Sequence, residues 1–199
     1  TDHGLDGNQY KSGFYLGGPL VPGKLGINVW GEYRYRDALQ DAAMPGLTAL
    51  DQQRAKTGHV GLSWTPDARQ RIDLSASAGN EDQEGVRGSS AATLYTARND
   101  VQRRRYALSH TGDWGWGETQ LRVYRSTLER ETWRSDGVDT SGPNRFVDTV
   151  GDGRVSFALG ESHTLTLGAE TRRETLEDPS VNRAGRKSLT HYALFAQDE

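Results

Sequence analysis

The chain contains no cysteine, so disulfides, thiolate nucleophiles and cysteine metal sites are all excluded. It lacks apolar bulk: only 34% of its residues are hydrophobic, mean hydropathy is −0.78, and no run approaches the ~18 apolar residues of a membrane helix. It also lacks an excess of positive charge. The 24 basic and 27 acidic side chains leave a net charge of −3, which gives no electrostatic footprint for nucleic acid, and none is expected as a partner. The opening residues TDHGLDGNQY have no basic start followed by an apolar core, so no signal peptide is expected there. Helical periodicity is poor almost everywhere.

What the chain does have is alternation. In LGINVWGEYRYR, Leu25, Ile27, Val29, Tyr33 and Tyr35 share one face, with Asn28, Trp30, Glu32, Arg34 and Arg36 on the other. Val60, Leu62 and Trp64 alternate with His59, Gly61 and Ser63, and Ile72, Leu74, Ala76 and Ala78 alternate with Asp73, Ser75 and Ser77. HTLTLGAETR sets Leu165, Leu167 and Ala169 against Thr166, Gly168, Glu170 and Arg172. A period of two means strands with one apolar and one polar face. About nine strands are expected, near 9–17, 25–36, 57–65, 70–79, 101–110, 119–130, 148–159, 163–175 and 188–199. GDG interrupts the start of the seventh.

The connectors alternate in length. GGPLVPGK, TPDAR, TGDWGWG and GES are short and carry turn chemistry; the others, near 37–55, 80–98, 134–147 and 177–187, are long and polar. If strands run up and down, all short turns lie on one edge and all long loops on the other. Transmembrane β-barrels sort their connectors this way. Trp64, Trp114 and Trp116 sit at short turns, where a membrane–water boundary would favour amphipathic rings. One strand fits badly: facing Leu121 and Val123 outward also faces Arg125 outward, so either a bulge changes the register or Arg125 reaches the headgroups.

Three stretches carry a family likeness: GGPLVPGKLGINVWGEYRYRD, RRRYALSHTGDWGWGETQLRVYRS, and HTLTLGAETRRETLED followed by HYALFAQDE. In this order they resemble the barrel of TonB-dependent outer-membrane receptors, in particular the ferric enterobactin and colicin I receptor branch. The resemblance implies an all-β, antiparallel up-and-down barrel of 22 strands, preceded by a plug domain that TonB engages. Neither a plug nor a TonB box is visible, so residues 1–199 are expected to be a partial barrel domain, about nine strands of the larger whole. At the chain's own spacing a complete barrel would need on the order of 480 residues. The strand-like end HYALFAQDE fits a piece of a longer chain.

The implied function is TonB-dependent uptake of a ferric siderophore in the Gram-negative outer membrane. An anionic, aromatic iron chelate calls for Arg or Lys with Tyr or Trp on loops or the upper wall. The candidates are Tyr95, Arg98, Arg103, Arg104, Arg105 with Tyr106, Trp133, Arg134, Arg145, Arg183, Arg186 and Lys187. As solvated loop charges, the same residues would do no more than face water or lipopolysaccharide phosphates. Glu32, Arg34, Asp73, Glu170 and Arg172 are expected to form a polar inner wall. Further expected partners are outer-membrane lipid, lipopolysaccharide, TonB through the plug, and colicin or phage.

No cofactor and no catalytic constellation is expected. His3, His59, His110, His163 and His191 lack metal-ligand spacing, DTVGDG and VDTSGPN fall short of a calcium loop, and Ser162-His163 has no nucleophile elbow. Two alternatives remain open. An outer-membrane barrel enzyme of protease or phospholipase type would need Ser/His or Asp/His at the upper strand ends. A soluble antiparallel β binding or adhesion module would bury Leu25, Ile27, Leu62, Leu74 and Leu165 in a core.

Overall fold

A computed structural model describes residues 8–138 and 141–199. His3, together with Asp139 and Thr140 of the VDTSGPN stretch, lies outside the described residues. The elements are β1 (Gln9–Val21), β2 (Leu25–Arg36), β3 (Leu39–Gln40), β4 (Thr48–Leu50), β5 (Gln52–Trp64), β6 (Gln70–Arg87), β7 (Tyr95–Asp113), β8 (Gly117–Arg134), β9 (Ser141–Leu159), β10 (His163–Glu177) and β11 (Arg186–Asp198), with one 3₁₀ turn at Ala91–Thr93. Nine strands form a single sheet in the order β1-β2-β5-β6-β7-β8-β9-β10-β11, and β3 and β4 form a small hairpin inside the long connector after β2. Every neighbouring pair in the sheet is antiparallel. The sheet is an open meander whose two edges, β1 and β11, each pair on one side only.

All nine expected strands are present in the expected order, and the short connectors shrink to 22–24, 65–69, 114–116 and 160–162. Local hydrogen bonds close these turns. At the β7–β8 turn the Trp114 amide donates to the Gly117 carbonyl (2.9 Å) and the Gly115 amide to the Asp113 carboxylate (2.8 Å), with Gly115 at φ 78. That conformation costs a side-chain-bearing residue more than glycine.

The central strands are longer than the apolar alternation indicates. β6, β7, β8 and β9 run to 18, 19, 18 and 19 residues, so much of the expected long loops is strand. In these upper parts both faces are polar, and the period of two that marks a half-apolar strand disappears. The ladder continues because backbone groups still need partners, and cross-strand ion pairs join it: Arg98–Asp82 (2.9 Å), Arg145–Glu129 (3.2 Å) and Arg145–Glu177 (3.5 Å).

The doubtful start of the seventh strand is also resolved. β9 passes straight through 148–153, and Gly151 and Gly153 sit opposite Val123 and Leu121 on the apolar face. A Cβ on Gly153 would lie 2.7 Å from Leu121 Cδ2, so the glycine makes room for its neighbour rather than breaking the strand. No register shift interrupts the β8–β9 pairing before Arg130, so Arg125 lies on the apolar face without a bulge.

The register collects one face across all nine strands. Leu16, Val29, Val60, Ala76 and Tyr106 form one cross-strand row, and Ile27, Leu62, Leu74, Leu108 and Val123 form the next. Among the described residues nothing covers this face: Leu16, Leu74, Leu121 and Leu194 are 69%, 51%, 54% and 86% exposed. Among the described residues only Ala55, Val147 and Val150 are buried hydrophobics. None of Leu25, Ile27, Leu62, Leu74 and Leu165 is buried, so the core that a soluble module requires is missing. A two-faced sheet without a core has the make-up of a barrel wall rather than of a packed domain.

Candidate functional site

The polar face is a lattice of ion pairs set by register. Glu32 accepts from Lys11 on β1 and from Arg34, both at 2.9 Å. Glu81 holds Arg103 at 3.0 Å and accepts from the Gln53 amide at 2.6 Å. Arg122 meets Asp152 at 2.8 Å, and Arg172 meets Asp148 at 3.1 Å and Glu174 at 3.0 Å. The expected inner-wall residues thus share one face. Glu32, Arg34, Asp73 and Arg172 are engaged with neighbours there; Asp73 takes Arg71 at 2.9 Å.

Four arginines on this face, Arg36, Arg105, Arg130 and Arg154, make no ion pair among the described residues, and Arg36 donates instead to the Asp51 carbonyl (3.2 Å). The Arg105 guanidinium lies 4.6 Å from the Tyr124 ring centroid, and Arg122 lies 5.8 Å from the same ring. Stacking on an aromatic face leaves the guanidinium edge free to donate hydrogen bonds. Arg105 borders a depression of about 350 Å³ whose wall includes Arg34, Arg103, Glu81 and Ser126.

A second cluster crowns the long-loop edge of the same face. The Arg134 guanidinium sits 4.0 Å from the Tyr95 ring centroid and pairs with Asp136. The hydrogen bond from Arg134 holds the Asp136 carboxyl below the usual aspartate range. Ser135 ties the rim to β7: its amide donates to the Thr96 carbonyl (3.0 Å) and its Oγ accepts from the Thr96 amide (2.8 Å). Across the rim, Arg87 reaches Asp51 at 2.6 Å, and Thr48 Oγ1 exchanges hydrogen bonds with the Val86 carbonyl (3.0 Å) and amide (2.6 Å). These contacts fold the connector 37–51 onto the top of β6. Gly85 allows the approach, since a Cβ there would lie 1.9 Å from Asp51 Oδ1.

Register divides the candidate residues. Tyr95, Arg103, Arg105, Arg134 and Lys187 lie on the polar face. Arg98, Arg104, Tyr106, Trp133, Arg145 and Arg186 lie on the opposite face, and Arg183 lies in the connector 178–185. The run Arg103-Arg104-Arg105 therefore does not act as one patch: its middle member points away from the other two. Arg98 shares its side with Glu84, Asp100 and Glu131, a surface poor for anions. Sequence reasoning missed Arg87, Arg122 and Tyr124. Only cross-strand register places Tyr124 against Arg105, and only the folded connector places Asp51 on Arg87.

The four histidines among the described residues lie apart from one another. His59 stacks on Trp30 (5.5 Å), His110 shares a hydrogen bond with Gln70 Oε1 (2.6 Å), and His163 and His191 lie 3.1 and 3.3 Å from Asp198 and Glu174. No metal-holding group of three or more His, Cys, Asp or Glu occurs among the described residues. The segment 148–153 is strand, not a calcium loop.

No family model matches the chain. It is 28% identical over 205 residues to the iron-regulated outer membrane virulence protein of Vibrio cholerae, and that match covers 97% of this chain. It is 24% identical over 211 residues to the probable TonB-dependent siderophore receptor PirA of Acinetobacter baumannii, covering 92% of this chain. The chain spans only 29% and 28% of the length of these two curated relatives. Among solved structures, the siderophore receptor PirA of A. baumannii superposes with a TM-score of 0.80 at 15% identity, over 99% of this chain and 34% of its own. A variant of the ferric enterobactin receptor of Pseudomonas aeruginosa, in complex with enterobactin, gives 0.80 at 19% identity, over 99% of this chain and 35% of its own. The chain resembles TonB-dependent siderophore receptors along its length and has the fold of part of their barrels.

Proposed function

We propose that this chain is part of the barrel of a Gram-negative outer-membrane receptor for TonB-dependent uptake of a ferric siderophore. The observation that carries the proposal is the match, over nearly the entire chain, to siderophore receptors. The relatives are receptors and transporters rather than enzymes. In this reading the apolar face meets lipid and the polar face lines the lumen. TonB acts on other parts of the receptor, and these strands supply wall and ligand contacts.

The ligand contacts follow from chemistry. A ferric catecholate is an anion with aromatic faces, so it is held by guanidinium groups that are not already neutralised and by exposed rings. Arg105 stacked on Tyr124, with no ion-pair partner among the described residues, is such a group. Arg134, stacked on Tyr95 at the rim but paired with Asp136, and Arg103, held by Glu81, contribute less. We therefore assign Arg105 to the ligand path as its main contact, with Tyr95 and Arg134 as secondary contacts at the long-loop edge.

The test is ferric enterobactin binding to the full-length receptor, read by quenching of intrinsic tryptophan fluorescence. Charge-assisted hydrogen bonds contribute about 1.5–3 kcal/mol, so removing Arg105 and Arg134 together as Ala is expected to weaken binding at least about tenfold. Arg98→Ala and Arg145→Ala, on the lipid side, should leave it unchanged. Wild-type affinity in the Arg105/Arg134 variant would overturn the assignment.

A further inference from the structure

The apolar face carries four arginines with no ion-pair partner among the described residues: Arg54 of β5, which lies 5.6 Å from the Tyr35 ring centroid, and three that lie together. Arg104 of β7, Arg125 of β8 and Arg173 of β10 all belong to it by register, and no salt bridge reaches any of them. The one polar contact is Arg104 Nη2 to Gln102 Oε1 at 3.4 Å. Arg98 and Arg145, higher on this face, are neutralised instead, Arg98 by Asp82 and Arg145 by Glu129 and Glu177.

The three lie close together. Arg125 and Arg173 both register with Thr149 of the strand between them, so they stand two strand spacings apart, about 10 Å. Arg104 is opposite Thr127, two residues along β8 from Arg125, a diagonal separation of about 7–8 Å. The hydroxyls of Tyr106, Thr127 and Thr149 lie among them on the same face.

Height along the barrel also agrees. Arg125 lies eight residues beyond Gly117, Arg104 nine before Asp113, and Arg173 ten beyond His163. At about 3.3 Å per residue and a tilt near 40°, all three stand about 20–25 Å above the short turns, at the upper edge of a band about 25 Å tall. Beneath them the wall becomes apolar. Gly153 and Ala169 floor an open groove of about 840 Å³ bordered by Trp114, Trp116, Leu121, Leu167 and Leu194.

We propose that Arg104, Arg125 and Arg173 bind the phosphate of a lipid in the leaflet at the long-loop edge, with an acyl chain in the groove below. The inference rests on the outer-membrane placement proposed above, which turns this face to lipid. Charge complementarity and the position of the groove select the occupant. Guanidinium groups without carboxylates attract an anion, and a lipid is the phosphate source whose chain the apolar wall accepts.

The test uses the full-length receptor in dodecyl maltoside, titrated with phosphatidylglycerol or phosphatidylcholine, with retained lipid counted by native mass spectrometry. Ferric enterobactin binding is read on the same samples, so failure of the receptor reading is seen separately. The triple variant Arg104→Gln, Arg125→Gln, Arg173→Gln is expected to retain about fivefold less phosphatidylglycerol, with phosphatidylcholine and enterobactin binding unchanged. Arg98→Gln should behave as wild type, and excess inorganic phosphate should not displace the lipid. If the triple variant does not fold, Arg125→Gln and Arg173→Gln singly are each expected to lower retention about twofold. Undiminished retention in these variants, equal loss in Arg98→Gln, or displacement by inorganic phosphate would overturn the proposal.

Discussion

With the apolar face turned to lipid, as proposed, strand β8 supplies a ruler for the membrane. Its apolar-face residues Leu121, Val123 and Arg125 stand about 10, 15 and 20 Å above the Gly117 end, given about 3.3 Å per residue and a tilt near 40°. Trp114 and Trp116 in the adjoining turn mark the lower boundary, so the midplane of a band about 25 Å tall falls between Leu121 and Val123. Arginine at either position is expected to destabilise the barrel by about 2–4 kcal/mol, because the guanidinium is near the midplane. Arg125 is within reach of the headgroups, so Arg125→Leu is expected to change stability by less than about 1 kcal/mol. The assay is refolding of full-length receptor variants into lipid vesicles across a urea series, with the folded fraction read from the heat-modifiable band on a gel. The polar-face variant Arg122→Leu, which breaks the pair with Asp152, separates loss of an ion pair from depth. Equal effects at Leu121, Val123 and Arg125, or tolerance of arginine at Leu121, would refute both the register and the lipid-facing assignment.

Other consequences concern the polar face and its rim. Asp148 is 6% exposed and accepts two hydrogen bonds from Arg172 at 3.1 Å; Asp148→Ala is expected to cost about 1–3 kcal/mol in the same refolding assay, and a neutral result would refute the pair's role. Gly85→Val would drive a side chain into Asp51 and Thr48, so proteolysis of the connector 37–51 is expected to quicken while the barrel stays folded; unchanged cleavage would show that the connector is not held there. In the turn 178–185, hydrogen bonds from Ser180 hold the Asp178 carboxyl below its ordinary range. A carboxyl with a folded-state pKa below its unfolded value contributes stability that is present above the unfolded value and lost as pH falls through the depressed one. Amide protection at Ser180 and Val181 should therefore persist from neutral pH to about pH 4 and vanish only under stronger acid, and Asp178→Asn should abolish that dependence. Loss of protection already between pH 7 and pH 5 would contradict it.

Much of the architecture was legible in the chain. Alternation along residues 25–36, 57–65 and 163–175 identified strands, two-facedness and the apolar members, because side-chain direction on a strand depends only on position parity. The sorting of short and long connectors then indicated an up-and-down wall. Parity could not carry the analysis into the upper strands: once both faces are polar, a strand such as 80–87 and a loop have the same composition, and only the backbone ladder tells them apart. Nor could it settle β8, since the placement of Arg125 depends on whether a bulge intervenes.

The candidate site was the least legible part. Arg103, Arg104 and Arg105 form one basic run in sequence, yet the strand sends the middle one to the opposite face. By itself the sequence determined which residues could share a side of the wall, and hence that this protein is a two-faced sheet suited to a lipid boundary. Only the tertiary structure decided which of them meet: Tyr124 under Arg105, Asp51 against Arg87, and Arg104, Arg125 and Arg173 close together on one face. The reason is physical: faces follow from a local period of two, whereas neighbours follow from the register between strands and the folding-back of connectors, both set by contacts far apart in the chain.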